Sequence, residues 1–440
     1  MEDVMEKMTI EKYAAYKDSG VEWLGEIPDH WEALSNKFIF RLKKVQVGKR
    51  SNEYVLLSLT LNGIIKRDME NPQGKFPAEF DTYQEVKKGD FVFCLFDVEE
   101  TPRAVGLSPF DGMITGAYTV MEPNNGFDRG FLYYFYLNLD ADKRMKPLYK
   151  GLRNVIPKET FFSFKTFVPP LDEQTSIASF LDRKTAQIEK AIAQKEALIE
   201  LLKERRQILI HKAVTRGLDP NVKMKDSGVE WIGEIPEHWE VKPLGFSGKT
   251  QNGISKGADY FGSGFPFLSY GDVYKNIELP KHVDGLAESS DADRKQYSVI
   301  EGDVLFTRTS ETVEEIGFAS TCTCTILNAT FSGFLIRFRP NRNILDKYFS
   351  KYYFSSKTHR AFFVKEMNLV IRASLSQELL KKMPILIPSK DEQVEIGNYL
   401  ENVSTKTFAA IVMKEKEIEK LKEYKATLIN AGVTGKIKVA

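Results

Sequence analysis

The 440-residue chain is too long for one hydrophobic core and predicts two or three domains. Its composition, 42% apolar and 28% charged, is that of a soluble globular protein. No run of about eighteen apolar residues is present, which excludes a membrane span. The opening MEDVMEKMTI lacks the basic-then-apolar order of a secretory signal.

Three cysteines, Cys94, Cys322 and Cys324, cannot build a disulfide framework and fit a reducing cytosol, so a cytoplasmic protein is expected. Cys322-Thr-Cys324 has no second cysteine pair nearby, so small buried strand residues are expected there and no zinc site. The net charge of +1 says little by itself, but its distribution is uneven. Segments 33–168 and 241–388 each carry 4 more basic than acidic residues, a weak footprint for a polyanion.

In chain order, residues 1–16 form an N-terminal extension. Lys17–Glu32 then reads KDSGVEWLGEIPDHWE, and the same words return as KDSGVEWIGEIPEHWE at Lys225–Glu240, 208 positions later. All four tryptophans (Trp23, Trp31, Trp231 and Trp239) lie in these two stretches. The Gly-Glu-Ile-Pro between each pair predicts a rigid turn, because proline fixes its own φ and pushes the preceding residue to extended backbone. Two amphipathic rings around a rigid turn predict an anchor that staples the start of each following block onto its body. The other use is an exposed grip on another protein.

The first block, 17–168, contains short β-like runs such as EYVLLSLT (53–60) and DFVFCLF (90–96), then a helical FLYYFYLNLD (131–140). Asn62-Gly63 and Asp111-Gly112 supply turns. Segment 169–218 follows as a long helix that begins at PPLDEQTSIASFLD, with Asp172 as its expected N-cap. Its apolar positions alternate by four and three: Ile188, Ile192, Lys195, Ile199, Leu202, Arg206, Leu209. That is a heptad seam, about 58 Å long between 175 and 213 at roughly 1.5 Å per residue.

The second block, 219–388, carries DVLFTRT (303–309), GFLIRFRP (333–340) and a helical KYFSKYYFSSKTHRAFF (347–363). The last segment, 389–440, repeats the long helix from PSKDEQVEIGNYLE, with Asp391 as expected N-cap and the seam Thr407, Ile411, Lys414, Ile418, Leu421, Lys425, Leu428. Matches recur at offsets of 208, 213 and 219, so the whole unit is duplicated with small insertions. The expected class is α+β: two β-rich domains, each followed by a long helix. The two helices are expected to pair as an antiparallel coiled coil with pseudo-two-fold symmetry. At the seam breaks, Lys195 with Lys414 and Arg206 with Lys425, the stems are expected to cover the seam with their heads in water; a register-setting role is the alternative.

Catalytic patterns are absent. GFSGKT (245–250) ends like a phosphate loop, but Pro243 stands where that loop needs glycine. Glu85-Val86-Lys87 after Asp81 is too tightly spaced for a nuclease constellation. His30 and His238 each precede a repeat tryptophan, and no carboxylate pair flanks them at metal spacing, so a structural role is expected and no metal site.

Two motif-bearing halves, each a variable β-rich block with a Gly-Asp step (Gly89-Asp90, Gly302-Asp303) feeding a DEQ-led long helix, resemble the specificity subunit of type I restriction–modification systems. The resemblance covers about Lys17 to Ile437. It implies that the blocks are target recognition domains, each reading half of a bipartite, asymmetric DNA site, while the paired helices set the spacing. It implies double-stranded DNA, two modification (methyltransferase) subunits and restriction (translocase–nuclease) subunits as partners. It further implies a chain that is itself no enzyme, with S-adenosylmethionine, ATP and Mg2+ held by those partners. The alternative is a protein-binding coiled-coil scaffold without DNA readout. Residue type and turn context nominate Lys66, Arg67, Gln73, Lys75 and Arg103 in the first block as DNA contacts. In the second they nominate Asn252, Ser255, Lys256, Tyr270, Lys275, Arg308, Thr309 and Ser310.

Overall fold

The computed structural model describes residues 11–68, 79–309, 316–367 and 374–439. The chain folds as two compact units, Met1–Lys195 with Glu415–Ala440, and Glu196–Lys414. Gln73, Lys75 and Ser310 lie outside the described residues.

In the first unit the repeat forms a hairpin of Tyr16–Asp18 with Glu26–Pro28. Strand Glu32–Ser35 follows and pairs antiparallel with Lys165–Val168, in register from Glu32↔Val168 to Ser35↔Lys165. This clasp holds the entry and exit of the first β-rich block side by side. Between its strands lies an antiparallel sheet of β1 (Phe40–Lys43), β2 (Phe91–Phe93), β3 (Val105–Leu107) and β4 (Thr119–Pro123), in the order β1-β4-β2-β3.

Side chains alternate across a strand. Phe91 and Phe93 face helix α1 (Arg129–Ala141) in a core with Phe131, Phe135, Tyr136 and Phe161. Val92 and Val120 face a second, smaller core with Leu57, Ile64, Val86 and Ile114. Both faces are covered, so β2 is apolar at every position. Asp128 caps α1, its Oδ1 accepting from Phe131 N at 2.8 Å.

The second unit repeats this plan with different letters. The hairpin is Met224–Asp226 with Glu234–Pro236, and the clasp is Glu240–Pro243 with Pro384–Ile387. The sheet comprises β5 (Gly248–Asn252), β6 (Val304–Thr307), β7 (Ala319–Thr321) and β8 (Leu335–Pro340), ordered β5-β8-β6-β7. Val304 and Phe306 face α3 (Lys347–Ser355), and Leu305 faces the second core with Leu268, Val299 and Phe331. Asp346 caps α3 through Tyr348 N and Phe349 N. Two blocks that barely match in sequence therefore share one sheet order, one clasp and one capped helix.

The long helices are α2 (Leu171–Arg216) and α4 (Lys390–Val433). Both begin two residues earlier than the N-cap assignment requires. Asp172 and Asp391 sit in the first turn, where they still favour the positive end of the helix. In the first unit Ile188, Leu421 and Leu428 are buried in one core, with Ile192 half-buried against it. Ile199 and Ile418 are buried, and Leu202, Leu209, Ile411 and Lys414 are half-buried.

Three of the four seam breaks, Lys195, Lys425 and Arg206, put their heads on the facing helix, where water had been expected. In the first unit Lys195 Nζ meets Glu417 Oε2 at 2.5 Å, and Lys425 Nζ meets Glu189 Oε1 at 2.5 Å. Rising numbers on α2 pair with falling numbers on α4, so the pairing is antiparallel. In the second unit Arg206 Nε donates to Ser404 Oγ at 3.1 Å.

His359 is buried in the second unit, its ring 4.6 Å from Tyr353 and its Nε2–H donating to Tyr353 O at 3.1 Å. Burial pushes its pKa down to about 4. The unfolded ring titrates near its ordinary value of about 6.5. Below that pH the unfolded chain binds a proton that the fold refuses, so stability falls as pH drops from about 6.5 towards 4. The expected loss reaches about 3 kcal/mol by pH 4. Urea midpoints across this range should fall less steeply in His359→Phe than in the wild type; equal slopes would remove His359 as the cause.

Candidate nucleic-acid interface

Each block is fixed to the scaffold by the two motifs that the duplication preserves. Trp31 is fully buried and its Nε1–H donates to Glu173 Oε1 at 2.9 Å. His30 Nε2 lies 2.7 Å from Glu173 Oε2. The second copy repeats the arrangement: Trp239 Nε1–H donates to Glu392 Oε2 at 3.0 Å, with His238 Nε2 at 2.9 Å from the same oxygen.

The neighbouring glutamines hold the other side. Gln174 Oε1 accepts from Asp128 N and its amide donates to Pro169 O. Gln393 Oε1 accepts from Asp346 N and its amide donates to Ile344 O and Pro388 O. The DEQ triplet therefore grips the repeat through Glu and the α1 or α3 cap through Gln. None of these four residues was nominated from sequence. Their signal was the unchanged DEQ at offset 219, read only as a helix start.

Trp23 and Trp231 are half-buried. Arg144 lies over the Trp23 ring at 4.9 Å and Lys365 over the Trp231 ring at 5.5 Å.

In the second block, four nominated residues meet at one end of the sheet, around the Gly333–Phe334 turn. Asn252 closes β5, pairing with Ile336. Ser255 packs on Gly333, where a Cβ would collide with its Oγ. Arg308 follows β6: its N–H donates to Phe334 O at 2.9 Å and its guanidinium reaches Gly333 O at 3.4 Å. Thr309 bridges to Ser374. Asn252 Oδ1 and Arg308 Nε are buried without a hydrogen-bond partner among the described residues. Such groups are costly unless a ligand meets them.

Lys256, Tyr270 and Lys275 have aromatic neighbours. Lys256 is exposed near the Tyr260 ring, Tyr270 stacks on Tyr274 at 5.7 Å, and Lys275 is exposed beside Tyr274.

The first block places its nominees less coherently. Lys66 is exposed at the end of strand Gly63–Lys66, its Nζ 4.9 Å from the Phe110 ring. Arg67 donates its backbone N–H to Leu56 O. Arg103 donates to Leu61 O at 2.9 Å and lines a cavity with Leu137, Ile192 and Lys425, on the long-helix side of the block.

The polar groove of this block lies elsewhere, beyond β1. It has a volume of about 610 Å³ and is lined by Lys44, Gln46, Thr82, Gln84, Thr115 and Lys158 among others. Gln46 pairs across from Gln84, so both amides share one face of that ladder. Gln84 Nε2–H donates to Tyr118 O at 2.7 Å, which fixes its orientation. In the sequence this stretch, KKVQV, carries no local pattern that separates it from a solvated edge.

Cys94 and Cys322 are buried, and burial pushes both thiols up, Cys322 to about 12. Neither is the electropositive, accessible thiol that a nucleophile needs. Among the described residues no group of three His, Cys, Asp or Glu could hold a metal ion. No helix among them is long and apolar enough to cross a membrane.

Comparison with known proteins gives a consistent result. The family described as type I restriction modification DNA specificity domain matches residues 105–200 and 236–420. The chain is 27% identical over 313 residues to the specificity subunit of the type I restriction enzyme EcoKI from Escherichia coli strain K12. That match spans 67% of this chain and 62% of the E. coli subunit, less than two thirds of its length. The putative type I restriction enzyme MjaX specificity subunit of Methanocaldococcus jannaschii is 24% identical over 94% of this chain and 96% of its own.

Among solved structures, a chain from a study of complex assembly and conformational transition of the type I R-M system superposes with a TM-score of 0.67. Identity is 14%, covering 92% of this chain and 98% of that one. The HsdS subunit of Thermoanaerobacter tengcongensis gives a TM-score of 0.56 at 15% identity, covering 93% and 98%. At these identities the likeness concerns the fold.

Proposed function

As the chain belongs to the type I restriction modification DNA specificity domain family, we propose that it is the sequence-reading subunit of such a system. In this reading the blocks within 17–168 and 219–388 are target recognition domains. Each reads one half of a bipartite, asymmetric double-stranded DNA site, and the paired α2 and α4 helices hold the spacing. The observation that carries the reading is the contrast within the duplication. Sheet order, clasp and DEQ grip are kept in both copies. The side chains at the sheet ends differ: Lys44 and Gln46 in one copy, Asn252 and Arg308 in the other. A scaffold that served only protein binding has no physical reason to keep a frame and vary its polar edge.

Two methyltransferase subunits would dock on the repeated scaffold, with restriction subunits joining them. S-adenosylmethionine, ATP and Mg2+ would be held by those partners, and this chain would contribute binding but no chemistry, in the cytoplasm. The modest basic excess of each block agrees with shared phosphate contacts, since a solitary DNA binder needs more positive charge.

The test is selection of duplexes from a random library by this chain, with and without its methyltransferase partner. Enrichment of one bipartite motif, with a fixed gap and only in the partner's presence, is expected. Absence of any selected motif under both conditions would leave the chain a protein-binding coiled coil.

A further inference from the structure

We propose that the end of each four-stranded sheet where its first strand exits is the edge that meets base pairs, with Gln46 the reader in the first block and Arg308 in the second. This rests on the DNA-reading role proposed above and narrows it to a place and two side chains. The placement comes from topology. β1 and β5 are the equivalent edge strands of sheets with the same order, and each pairs with the equivalent neighbour, β4 or β8. Just past β1 stand Lys44 and Gln46; just past β5, from Asn252 to Ser255, stands the second cluster, joined by Arg308 from the end of β6. Two blocks with almost no shared sequence have thus concentrated their hydrogen-bonding side chains at one structural address.

The chemistry at that address suits base edges. Gln46 is exposed, on a segment whose backbone is already spent: Glu85 N donates to Val45 O and Val47 N donates to Tyr83 O. Its amide offers a donor and an acceptor together, the pattern that pairs with adenine N7 and N6 in the major groove. Lys44 lies two residues earlier on the same strand face, and Lys158 closes the groove as the first residue of a short helix. Both are exposed cations of the kind that holds phosphates beside a base contact. In the second block Arg308 is held by its backbone on both sides, its N–H to Phe334 O and its carbonyl to Leu375 N. Its Nε is buried without a partner among the described residues, and so is Asn252 Oδ1 at the end of β5. Arginine is the usual reader of guanine O6 and N7.

The experiment uses the full chain assembled with its methyltransferase and reads the selected motif by sequencing. Gln46→Ala is expected to relax one base position in one half-site by about tenfold to a hundredfold and to leave the other half unchanged. Arg308→Ala is expected to do the converse. Lys44→Ala is expected to weaken all sequences alike and lower the salt slope by about one. Circular dichroism checks that each variant folds. Unaltered half-sites in both Gln46→Ala and Arg308→Ala, with a wild-type complex that still selects a bipartite motif, would overturn the assignment and leave the DNA-reading role intact. Uniform loss at every position would overturn it as well, because a reader acts at one position. A wild-type complex that selects no motif would instead overturn the role itself.

Discussion

Trp239→Ala is expected to destabilise the second unit by about 3–5 kcal/mol. The side chain is fully buried. It packs against Gly217, whose Cβ position lies 3.5 Å from Trp239 Cζ2 and 3.9 Å from Pro236 Cγ. Gly217 ends α2 at φ +72°, the left-handed geometry of a helix C-cap that only glycine adopts without strain. Truncation would open a cavity at this junction and take the indole N–H from Glu392. His238 would remain on that carboxylate, but it is exposed and contributes little. His238→Ala is therefore the control, expected to cost under about 1 kcal/mol. Denaturant midpoints and amide exchange in 234–243 and 384–400 report the effect. A Trp239→Ala loss no greater than that of His238→Ala would show that the repeat does not anchor the block. The first copy, where Trp31 meets Glu173 and Gly435, is expected to behave alike.

The second large effect is expected at Lys351, on the α3 face that meets α4. Its ammonium sits 2.6 Å from Glu278 Oε2 and 2.5 Å from Glu401 Oε1, with the side chain only 8% exposed. Burial pushes the Glu278 carboxyl up, but the hydrogen bonds from Lys351 and Thr323 outweigh it and hold the pKa below the ordinary value. Lys351→Ala strips two carboxylates of their shared cation. A loss of about 1–3 kcal/mol is expected: the two carboxylates lose their cation, but at 31% and 34% exposed they keep part of their hydration, which discounts the figure for a fully buried pair. Lys351→Met combined with Glu278→Gln and Glu401→Gln removes the charges together and is expected to recover most of that loss. If the triple variant is as unstable as Lys351→Ala, packing rather than charge explains the site. The first copy meets the same need without a cation: Tyr134 OH donates to Asp182 Oδ1 at 2.7 Å and lies 3.1 Å from Thr185 Oγ1.

The periodic parts of this fold were legible. A seam repeated by fours and threes leaves one reading, and the paired helices follow from it. Two large rings around a rigid segment predicted an anchor, and Trp31 and Trp239 are buried as such; the Glu-Ile-Pro between the rings is a hairpin strand, Glu26–Pro28 and Glu234–Pro236, where a turn had been expected. The shared sheet of the blocks was not legible. Phe91-Val92-Phe93 and Val304-Leu305-Phe306 are interchangeable apolar letters, and burial on both faces erases the alternation that would have fixed their register. Arg308 and Asn252 were nominated because each lies at a strand end next to a turn signal. Gln46 and Lys44 were not nominated because nothing local separates KKVQV from a solvated edge; only pairing with Gln84, nearly forty residues on, makes it a groove. Arg103 looked like a surface cation, and its carbonyl partner at Leu61 is a tertiary contact that no local pattern encodes.

The clasp has an entropic consequence. Closing a chain segment costs conformational freedom, and that cost grows only with the logarithm of its length. Here two short paired strands fix the ends of each block about 4.8 Å apart, whatever lies between them. The offset between copies widens from 208 at the entry strand to 219 at the exit strand, so residues have been added inside the second block. At that length the extra closure cost is of order 0.1 kcal/mol. Length inside the clasp is thus nearly without thermodynamic penalty, and the frame tolerates insertions that would break a seam of fixed period.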